Sequence, residues 1–171
     1  NDVTVKTIDK KITSQYAEYN KVIPEIILKD TILAEDQFGN IIKADYAEYT
    51  NLEKMYKTVG PTTLITSEDY SLKGSDIFFD NNNKIIRSDK KSILQDISGN
   101  KIFLENFEYL ANENIFKSVV YVKVIDHLQN KYEFSQIYID TKKRELLGTD
   151  IKALLNHQDF KVNNKNDPRI F

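Results

Sequence analysis

The sequence repeats itself every 30 residues, and this period limits the folds that it can adopt. The aromatic position Tyr49 recurs as Tyr19, Phe79, Tyr109 and, as an aliphatic residue, Ile139. The position two residues earlier is small or apolar each time: Ala17, Ala47, Ile77, Phe107 and Ile137. A fixed period of this length is typical of stacked supersecondary units, none of which buries its apolar face alone. The sequence therefore predicts a stack, with a function in the surface or groove that the stack forms.

Each unit is predicted to consist of a strand, a turn and a second strand. About five units fit the chain, at residues 11–40, 41–69, 70–100, 101–130 and 131–160. Asn- and Gly-rich clusters such as residues 80–84 and 98–100 mark the turns, and no stretch shows helical periodicity. These patterns predict an all-β chain of roughly ten strands.

The apolar positions change parity inside each unit. Ile42 and Ala44 occupy even positions, whereas Ala47 and Tyr49 occupy odd ones. Because side chains alternate between the two faces of a strand, both sets reach one face only if an extra residue intervenes near Asp45. We therefore expect a bulge or corner in every unit, and the bent strands predict a β-jelly-roll or a solenoid of similar appearance.

Composition predicts a single domain and excludes several classes of site. The 171 residues show no shift in composition, and their 24 basic and 26 acidic side chains are scattered, which indicates no electrostatic footprint for nucleic acid or anionic lipid. Cysteine is absent, so disulfides and thiolate sites are excluded. No apolar run approaches the length of a membrane helix, and the first residues do not resemble a signal peptide, which predicts a soluble piece.

Two patterns suggest chemistry but favour a simpler interpretation. His127 and His157 lie 30 residues apart, yet only Asp126 and Asp159 are near them, too few ligands for a metal site. Glu18, Glu48 and Glu108 share one column, and paired carboxylates are used in glycoside hydrolysis. Their position between two inward residues favours an exposed polar face. Phosphate-binding, serine-elbow and HExxH motifs are missing, so we predict no enzyme activity, no cofactor and no metal.

The aromatic column has two interpretations, a closed core or a lipid-binding groove between two sheets that is open along one seam. Small residues in the early units, including Ala44 and Gly74, predict a wider opening at the N-terminal end. The candidate groove residues are Ala17, Tyr19, Ala47, Tyr49, Ile77, Phe79, Phe107, Tyr109, Ile137 and Ile139.

The first residues form a short apolar alternation outside the 30-residue register. Val3, Val5 and Ile8 read as a strand, and its position before the first unit predicts a sheet edge. An open edge is an aggregation hazard unless another chain pairs with it. This strand is therefore our candidate for binding a protein partner.

Two stretches of the chain resemble a known family of lipopolysaccharide transport proteins. Residues 44–49, ADYAEY, followed by a polar turn and a strand, resemble the unit shared by the organic-solvent-tolerance (OstA-like) proteins, which include LptA, LptC and LptD members. Residues 147–151 and 163–171, with Asp167-Pro168-Arg169, are similar to the end of the periplasmic domain in the LptD members. Some members carry disulfide cysteines near this domain, and this sequence has none.

The resemblance implies a periplasmic β-jelly-roll at residues 1–160, on the periplasmic face of the Gram-negative outer membrane, and a linker at 161–171 toward a membrane barrel. Acyl chains of lipopolysaccharide would pass along its apolar interior to that barrel. An LptA-like bridge protein would pair with the N-terminal edge strand, and an outer-membrane lipoprotein would act on the barrel. Two alternatives stay open, a soluble LptA-like bridge protein and a β-helix carbohydrate-active enzyme.

Overall fold

All regular secondary structure in the described residues is β. The computed structural model describes residues 3–6, 10–22, 25–50 and 53–156. Nineteen strands follow one another: β1 (Val3–Lys6), β2 (Lys10–Ser14), β3 (Tyr16–Asn20), β4 (Glu25–Asp36), β5 (Ile41–Thr50), β6 (Met55–Thr58), β7 (Pro61–Ile65), β8 (Ser71–Ser75), β9 (Phe78–Asp80), β10 (Ile85–Ser88), β11 (Ser92–Gln95), β12 (Lys101–Leu104), β13 (Phe107–Leu110), β14 (Ile115–Ser118), β15 (Val122–Ile125), β16 (Lys131–Phe134), β17 (Gln136–Asp140), β18 (Glu145–Thr149) and β19 (Lys152–Leu154).

The strands form two antiparallel layers that β4 and β5 join. Sheet A has the order β1-β2-β4-β5-β7-β8-β11-β12-β15-β16-β19. Sheet B has the order β3-β4-β5-β6-β9-β10-β13-β14-β17-β18. The long strands β4 and β5 belong to both sheets, since residues 41–44 pair with β7 and residues 47–50 pair with β6. This arrangement is the predicted β-jelly-roll architecture.

The predicted break in alternation is confirmed, because the chain passes from one sheet to the other at that point. In β4 the register shifts between Lys29 and Ile32, where Asp30 and Thr31 have φ angles of 61° and 51°. In the third unit β8 ends before Asp76, which has a φ of 52°. The expectation of roughly ten strands is wrong, since most corners end one strand and start another. Each of the last three units therefore contributes four short strands, and each of the first two contributes three, one of them long.

Each sheet turns a continuous row of paired apolar residues toward the other sheet. In sheet A the paired row is Val5, Ile12, Ala34, Ile42, Leu64, Leu72, Leu94, Ile102, Val124, Tyr132 and Ala153. In sheet B it is Tyr19, Ile26, Tyr49, Tyr56, Phe79, Ile86, Tyr109, Phe116, Ile139 and Leu146. We call these the aliphatic ladder and the aromatic ladder. The main core cluster contains residues of both, so the ladders pack on each other.

Hydrogen bonds between an aspartate and an asparagine side chain stabilise three turns of sheet A from within. Asp36 Oδ1 accepts the backbone N–H groups of Phe38 and Asn40 at 2.9 Å, and Asn40 Nδ2 donates to Asp36 Oδ2 at 2.8 Å. The same three bonds recur at residues 96–100 and 126–130. Gly39 and Gly99 supply the left-handed φ that these turns require. These three turns are thus each closed by an Asp and an Asn four residues apart, whereas in the turn at residues 66–70 Thr66 Oγ1 accepts the N–H of Tyr70 at 3.2 Å.

Corners and turns lie on opposite sides of the sandwich. The chain crosses between sheets at the corners, whereas each turn joins two strands of one sheet, so the turns of sheet A face those of sheet B across a seam without covalent links. Among the described residues, no helix is long and apolar enough to cross a membrane. Ile8, His157, Asp159 and the tail at 161–171 lie outside the described residues.

Candidate functional site

The interior between the ladders is sealed in its middle and uncovered at its ends. Tyr109 and Phe116 are 0% and 1% exposed at the centre of the aromatic ladder. Tyr19 at one end is 59% exposed, and Leu146 at the other end is 37% exposed. The apolar path between the sheets therefore reaches the surface at both ends of the stack.

The ten predicted groove residues lie in two neighbouring inward rows of sheet B. Seven of them are buried: Ala47, Ile77, Phe79, Phe107, Tyr109, Ile137 and Ile139. Ala17 and Tyr49 are partly buried, and Tyr19 is exposed. The structure brings all ten onto one face, and their contact with lipid stays a prediction.

Sequence reasoning missed half of the interior lining. The residues on the return strand of each unit, such as Tyr56, Ile86 and Phe116 in sheet B, recur with the same 30-residue period. Leu64, Leu94 and Val124 do so in sheet A. This period was the signal that would have identified them as part of the same surface.

Ring contacts give the aromatic ladder a defined geometry. The ring centroids of Tyr109 and Phe116 are 4.3 Å apart with an interplanar angle of 25°, and those of Tyr49 and Tyr56 are also 4.3 Å apart. Burial raises the pKa of the Tyr109 hydroxyl, and the nearby Glu68 carboxylate raises it further. That hydroxyl donates to Asn114 Oδ1 at 3.4 Å. The ring is therefore neutral at physiological pH, as an apolar interior requires.

Free space in this interior lies near the N-terminal units. An apolar cavity of about 40 Å³ is lined by Ile12, Leu28, Ala47, Tyr56 and Phe79 among others. A wider cleft, about 600 Å³, lies at the corners of the first two units, where Ser14, Ile32 and Ala44 border it. The small cavity has room for only a few water molecules, whereas the cleft has the volume of a ligand site. An acyl chain thus needs the sheets to separate beyond the first units.

Polar side chains bridge the seam at two places. Lys10, on β2 of sheet A, donates to Asn81 Oδ1 in the turn between β9 and β10 of sheet B, and its ammonium lies 4.7 Å from the Tyr56 ring centroid. Thr141 Oγ1, in the turn between β17 and β18, lies 3.5 Å from Glu68 Oε2 in a turn of sheet A. A second small cavity, about 30 Å³, lies at the seam beside Lys10 and Phe38.

The sandwich exposes strand edges at both ends. Within the described residues β1 pairs only with β2, and β3 pairs only with β4. At the other end β18 pairs only with β17, and β19 pairs only with β16. Val3 and Val5, the described part of the predicted partner-binding strand, thus lie on an edge strand, as their position before the first unit predicts.

The residues that suggested other chemistry do not form a site in the described part of the chain. No group of three or more potential metal ligands occurs there, and His127 is an exposed turn residue. The column of glutamates lies on the outer face of sheet B, where Glu108 pairs with Lys117 Nζ at 2.7 Å. Glu18 and Glu48 both pair with Ile27 of β4, one from each side. Their backbones are therefore about two strand intervals apart, ~9.6 Å.

Two solved structures show a distant likeness to this chain. No protein-family model matches the chain, and no curated protein matches it. One similar structure is LptH of Pseudomonas aeruginosa, the LptA-homologous periplasmic component of a lipopolysaccharide transport device, with 13% identity over 86% of this chain and 94% of that chain and a TM-score of 0.33. Another is the TCP10 domain of Danio rerio CPAP in complex with a STIL peptide, with 9% identity, coverage of 91% and 98%, and a TM-score of 0.16. At these TM-scores neither likeness carries an argument about function.

Proposed function

We propose that the chain carries the acyl chains of lipopolysaccharide through the periplasm, between its two sheets, toward the outer membrane. The observation that supports this most directly is the pair of facing ladders, which form an unbroken apolar path across both sheets. The path is exposed at both ends of the stack, as a conduit requires. The resemblance of residues 44–49 to the OstA-like unit supports the same proposal.

The driving force for loading is the transfer of acyl chains out of water. Each buried CH₂ group contributes about 0.8 kcal/mol, so several chains together favour the interior strongly. The sheets open on the seam side, where non-covalent contacts such as Lys10 with Asn81 hold them, and remain joined on the corner side. The N-terminal units, where a small apolar cavity lies between the sheets, receive the lipid first.

Site-specific photo-crosslinking in cells that make lipopolysaccharide tests this function. A photoreactive amino acid replaces Phe79 or Tyr109, which face the interior, and a matched probe replaces Phe78 or Glu108, their outward neighbours on the same strands. We expect lipopolysaccharide adducts from the inward pair and none from the outward pair.

Equal adducts from the inward and outward probes would mean surface adhesion and would refute the conduit. No adduct at Phe79 or Tyr109, in protein whose circular dichroism matches the parent, would identify the ladders as a closed core.

Locking the seam provides an independent test. Because the chain has no cysteine, Lys10→Cys with Asn81→Cys creates the sole thiol pair, at two partly exposed positions that a short bis-maleimide reagent joins across the seam. We expect the joined protein to lose lipopolysaccharide adducts at Tyr109, whereas each single cysteine variant treated in the same way keeps them. Undiminished adducts in the joined protein would show that the lipid does not pass between these sheets.

A soluble bridge is the second candidate function, and the edges at the C-terminal end favour it. Since β18 and β19 each have one ladder partner within the described residues, another β-rich chain can extend the sandwich there as well as at β1 and β3. Native mass spectrometry of the full chain mixed with an LptA-like protein distinguishes the two candidate functions by the number of partner chains bound. A bridge protein binds a partner at each end of its sandwich, whereas a terminal acceptor binds a partner at one end.

A further inference from the structure

The fold separates charges that are scattered in the sequence. The outer face of sheet A carries lysines along its whole width: Lys6, Lys11, Lys43, Lys73, Lys101, Lys123, Lys131 and Lys152. Glu35 and Glu133 are the acidic residues on the described strands of that face. Acidic residues such as Asp36 and Asp126 lie instead in the turns at its margin, where their carboxylates accept hydrogen bonds from turn amides.

The lysines are densest on the last four strands of sheet A. The register puts Lys101, Ile125, Lys131 and Leu154 in one outward row of β12, β15, β16 and β19. Phe103, Lys123, Glu133 and Lys152 form the next row. We call these eight residues the C-terminal lysine patch. Four adjacent strands span about 14 Å, so the eight residues lie within a small area.

Apolar side chains stand between these cations. Leu154 is 66% exposed, and Tyr121, two residues before Lys123 on the same face, is 50% exposed. The Lys123 ammonium lies 6.0 Å from the ring centroid of Phe103. The patch therefore alternates ammonium groups with exposed or half-buried apolar groups, as surfaces that lie in the headgroup region of a membrane do.

The opposite face at the same end has a different charge balance. There the outward residues of β13, β14 and β17 include Glu108, Lys117 and Asp140, and Glu108 neutralises Lys117 in an ion pair. On the patch, Glu133 lies 3.7 Å from Lys152. Glu105, which follows β12 near Tyr121, is paired with Lys91 at 3.2 Å. The four lysines of the patch therefore outnumber the acidic residues of that surface. Net positive charge thus lies on one side of the sandwich only.

We propose that the C-terminal lysine patch binds the surface of an anionic phospholipid bilayer. The lysines attract the phosphate-bearing headgroups, while Leu154 and Tyr121 enter the boundary between headgroups and acyl chains. A soluble polyanion would use the cations but not the apolar side chains between them, which is why a bilayer fits better. This surface is separate from the interior path, so the two proposals fail independently.

Vesicle flotation of the full chain tests the patch. Vesicles of phosphatidylcholine alone are compared with vesicles containing about one third phosphatidylglycerol, at low and at physiological salt. We expect binding to the anionic vesicles only, weakened by salt because the charges are exposed. Replacing Lys101, Lys123, Lys131 and Lys152 by Gln should weaken the partition coefficient about fivefold per lysine removed. The matched control replaces Lys29, Lys57, Lys90 and Lys142, which lie on sheet B, a corner and a turn.

The flotation outcomes each decide the proposal. Binding by the parent that the four patch replacements abolish and the four control replacements leave intact supports it. Equal binding to neutral vesicles, equal loss in the control, or no binding by the parent overturns it. Binding to dextran sulfate without flotation would assign the patch to a soluble polyanion and would also overturn the bilayer proposal.

A fluorescence experiment reports on the apolar part of the same surface. Because the sequence has no tryptophan, Leu154→Trp supplies a single reporter, and Leu147→Trp, on the outer face of sheet B and 71% exposed, is its control. Anionic vesicles should shift the tryptophan emission of Leu154→Trp to shorter wavelength and leave that of Leu147→Trp unchanged. An unshifted spectrum at 154 would show that this side chain stays in water and would refute the proposed insertion.

Discussion

The side chain of Asn100 accepts the backbone N–H of His127 at 2.9 Å and thereby joins the turn that closes one unit to the turn that closes the next. Its own amide nitrogen donates to Asp96 Oδ2 at 2.6 Å. Asn40 makes the equivalent bond to the N–H of Ser67, and Asn130 makes it to that of Asn156. The seam-side margin of sheet A is thus held by a line of asparagines that no hydrophobic pattern reveals.

Asn100→Ala should lower the free energy of unfolding by about 1–2 kcal/mol, because it leaves a turn N–H and a carboxylate oxygen without their partner. Urea unfolding measures the change. Ser98→Ala, an exposed position in the same turn, is the control and should be nearly neutral. Equal effects of the two substitutions would contradict a structural role for the asparagine line.

Gly148→Ala should destabilise the C-terminal end of the sandwich. An added Cβ would lie inside the van der Waals radius of the Phe134 ring, which packs from sheet A against β18 of sheet B. Thermal unfolding should show a loss in the range of about 1–3 kcal/mol typical of overpacking. Phe134→Leu in the same chain should recover part of it. A double-mutant cycle without coupling would refute this close approach.

Aspartate substitutions along the aromatic ladder should have graded costs. Tyr109→Asp places a carboxylate at a fully buried position and should cost more than about 3 kcal/mol, whereas Tyr19→Asp, at the exposed end, should stay within about 0.5 kcal/mol. Chemical denaturation of both variants measures the difference. Similar costs at the two positions would mean that the middle of the ladder is already open in the unloaded protein.

Proline at the N-terminal edge should separate folding from partner binding. Neighbouring residues of a strand direct their N–H groups to opposite sides, so Thr4→Pro and Val5→Pro remove one donor facing β2 and one facing the open edge. We expect one variant to lose thermal stability and the other to lose affinity for an LptA-like bridge protein at unchanged stability. Full affinity in both would refute the edge as the docking strand.

Acid should weaken the protein below about pH 4 through its turn carboxylates. Hydrogen bonds from Asn83 hold the pKa of Asp80 below its ordinary value, and the N–H of Lys143 lowers that of Asp140. A lowered pKa means that the stabilisation is complete above the unfolded-state pKa and is lost as the pH falls through the folded-state pKa. Melting temperatures measured between pH 7 and pH 2.5 should therefore fall only in the acid range.

The variant Asp80→Asn/Asp140→Asn tests the assignment of that acid sensitivity. It should melt earlier than the parent at pH 7 but lose less on acidification, so the two curves converge. Parallel curves would show that other carboxylates are responsible.

Much of the fold follows from local sequence, and the rest depends on geometry that no local pattern contains. The change of parity between Ala44 and Ala47 predicts the corner, because alternation along a strand is strict. It does not reveal that the corner transfers the chain to another sheet, which is why the strands were undercounted. The pairing of Lys10 with Asn81 and of Glu68 with Thr141 across the seam depends on how the layers are offset.

The sequence also does not predict how deeply each equivalent residue is buried. Tyr19 and Tyr109 occupy the same position in their units, yet one is 59% exposed and the other fully covered. A periodic sequence gives equivalent residues the same inward direction but does not say how many neighbouring units lie on either side of them. The absence of catalytic function, the lipid contacts and the domain boundaries also remain predictions. The 30-residue pattern shows which residues are equivalent, but it does not show what molecules contact them.

The repeating unit also fixes the step by which the length of this sandwich can change. Every 30 residues add two strands to sheet A and two to sheet B, so each further unit lengthens the sandwich by about two strand intervals, ~9.6 Å, and leaves all existing pairings unchanged. Duplication or deletion of one unit would thus change the length of the sandwich by a fixed amount, and the remaining units would keep the same core contacts.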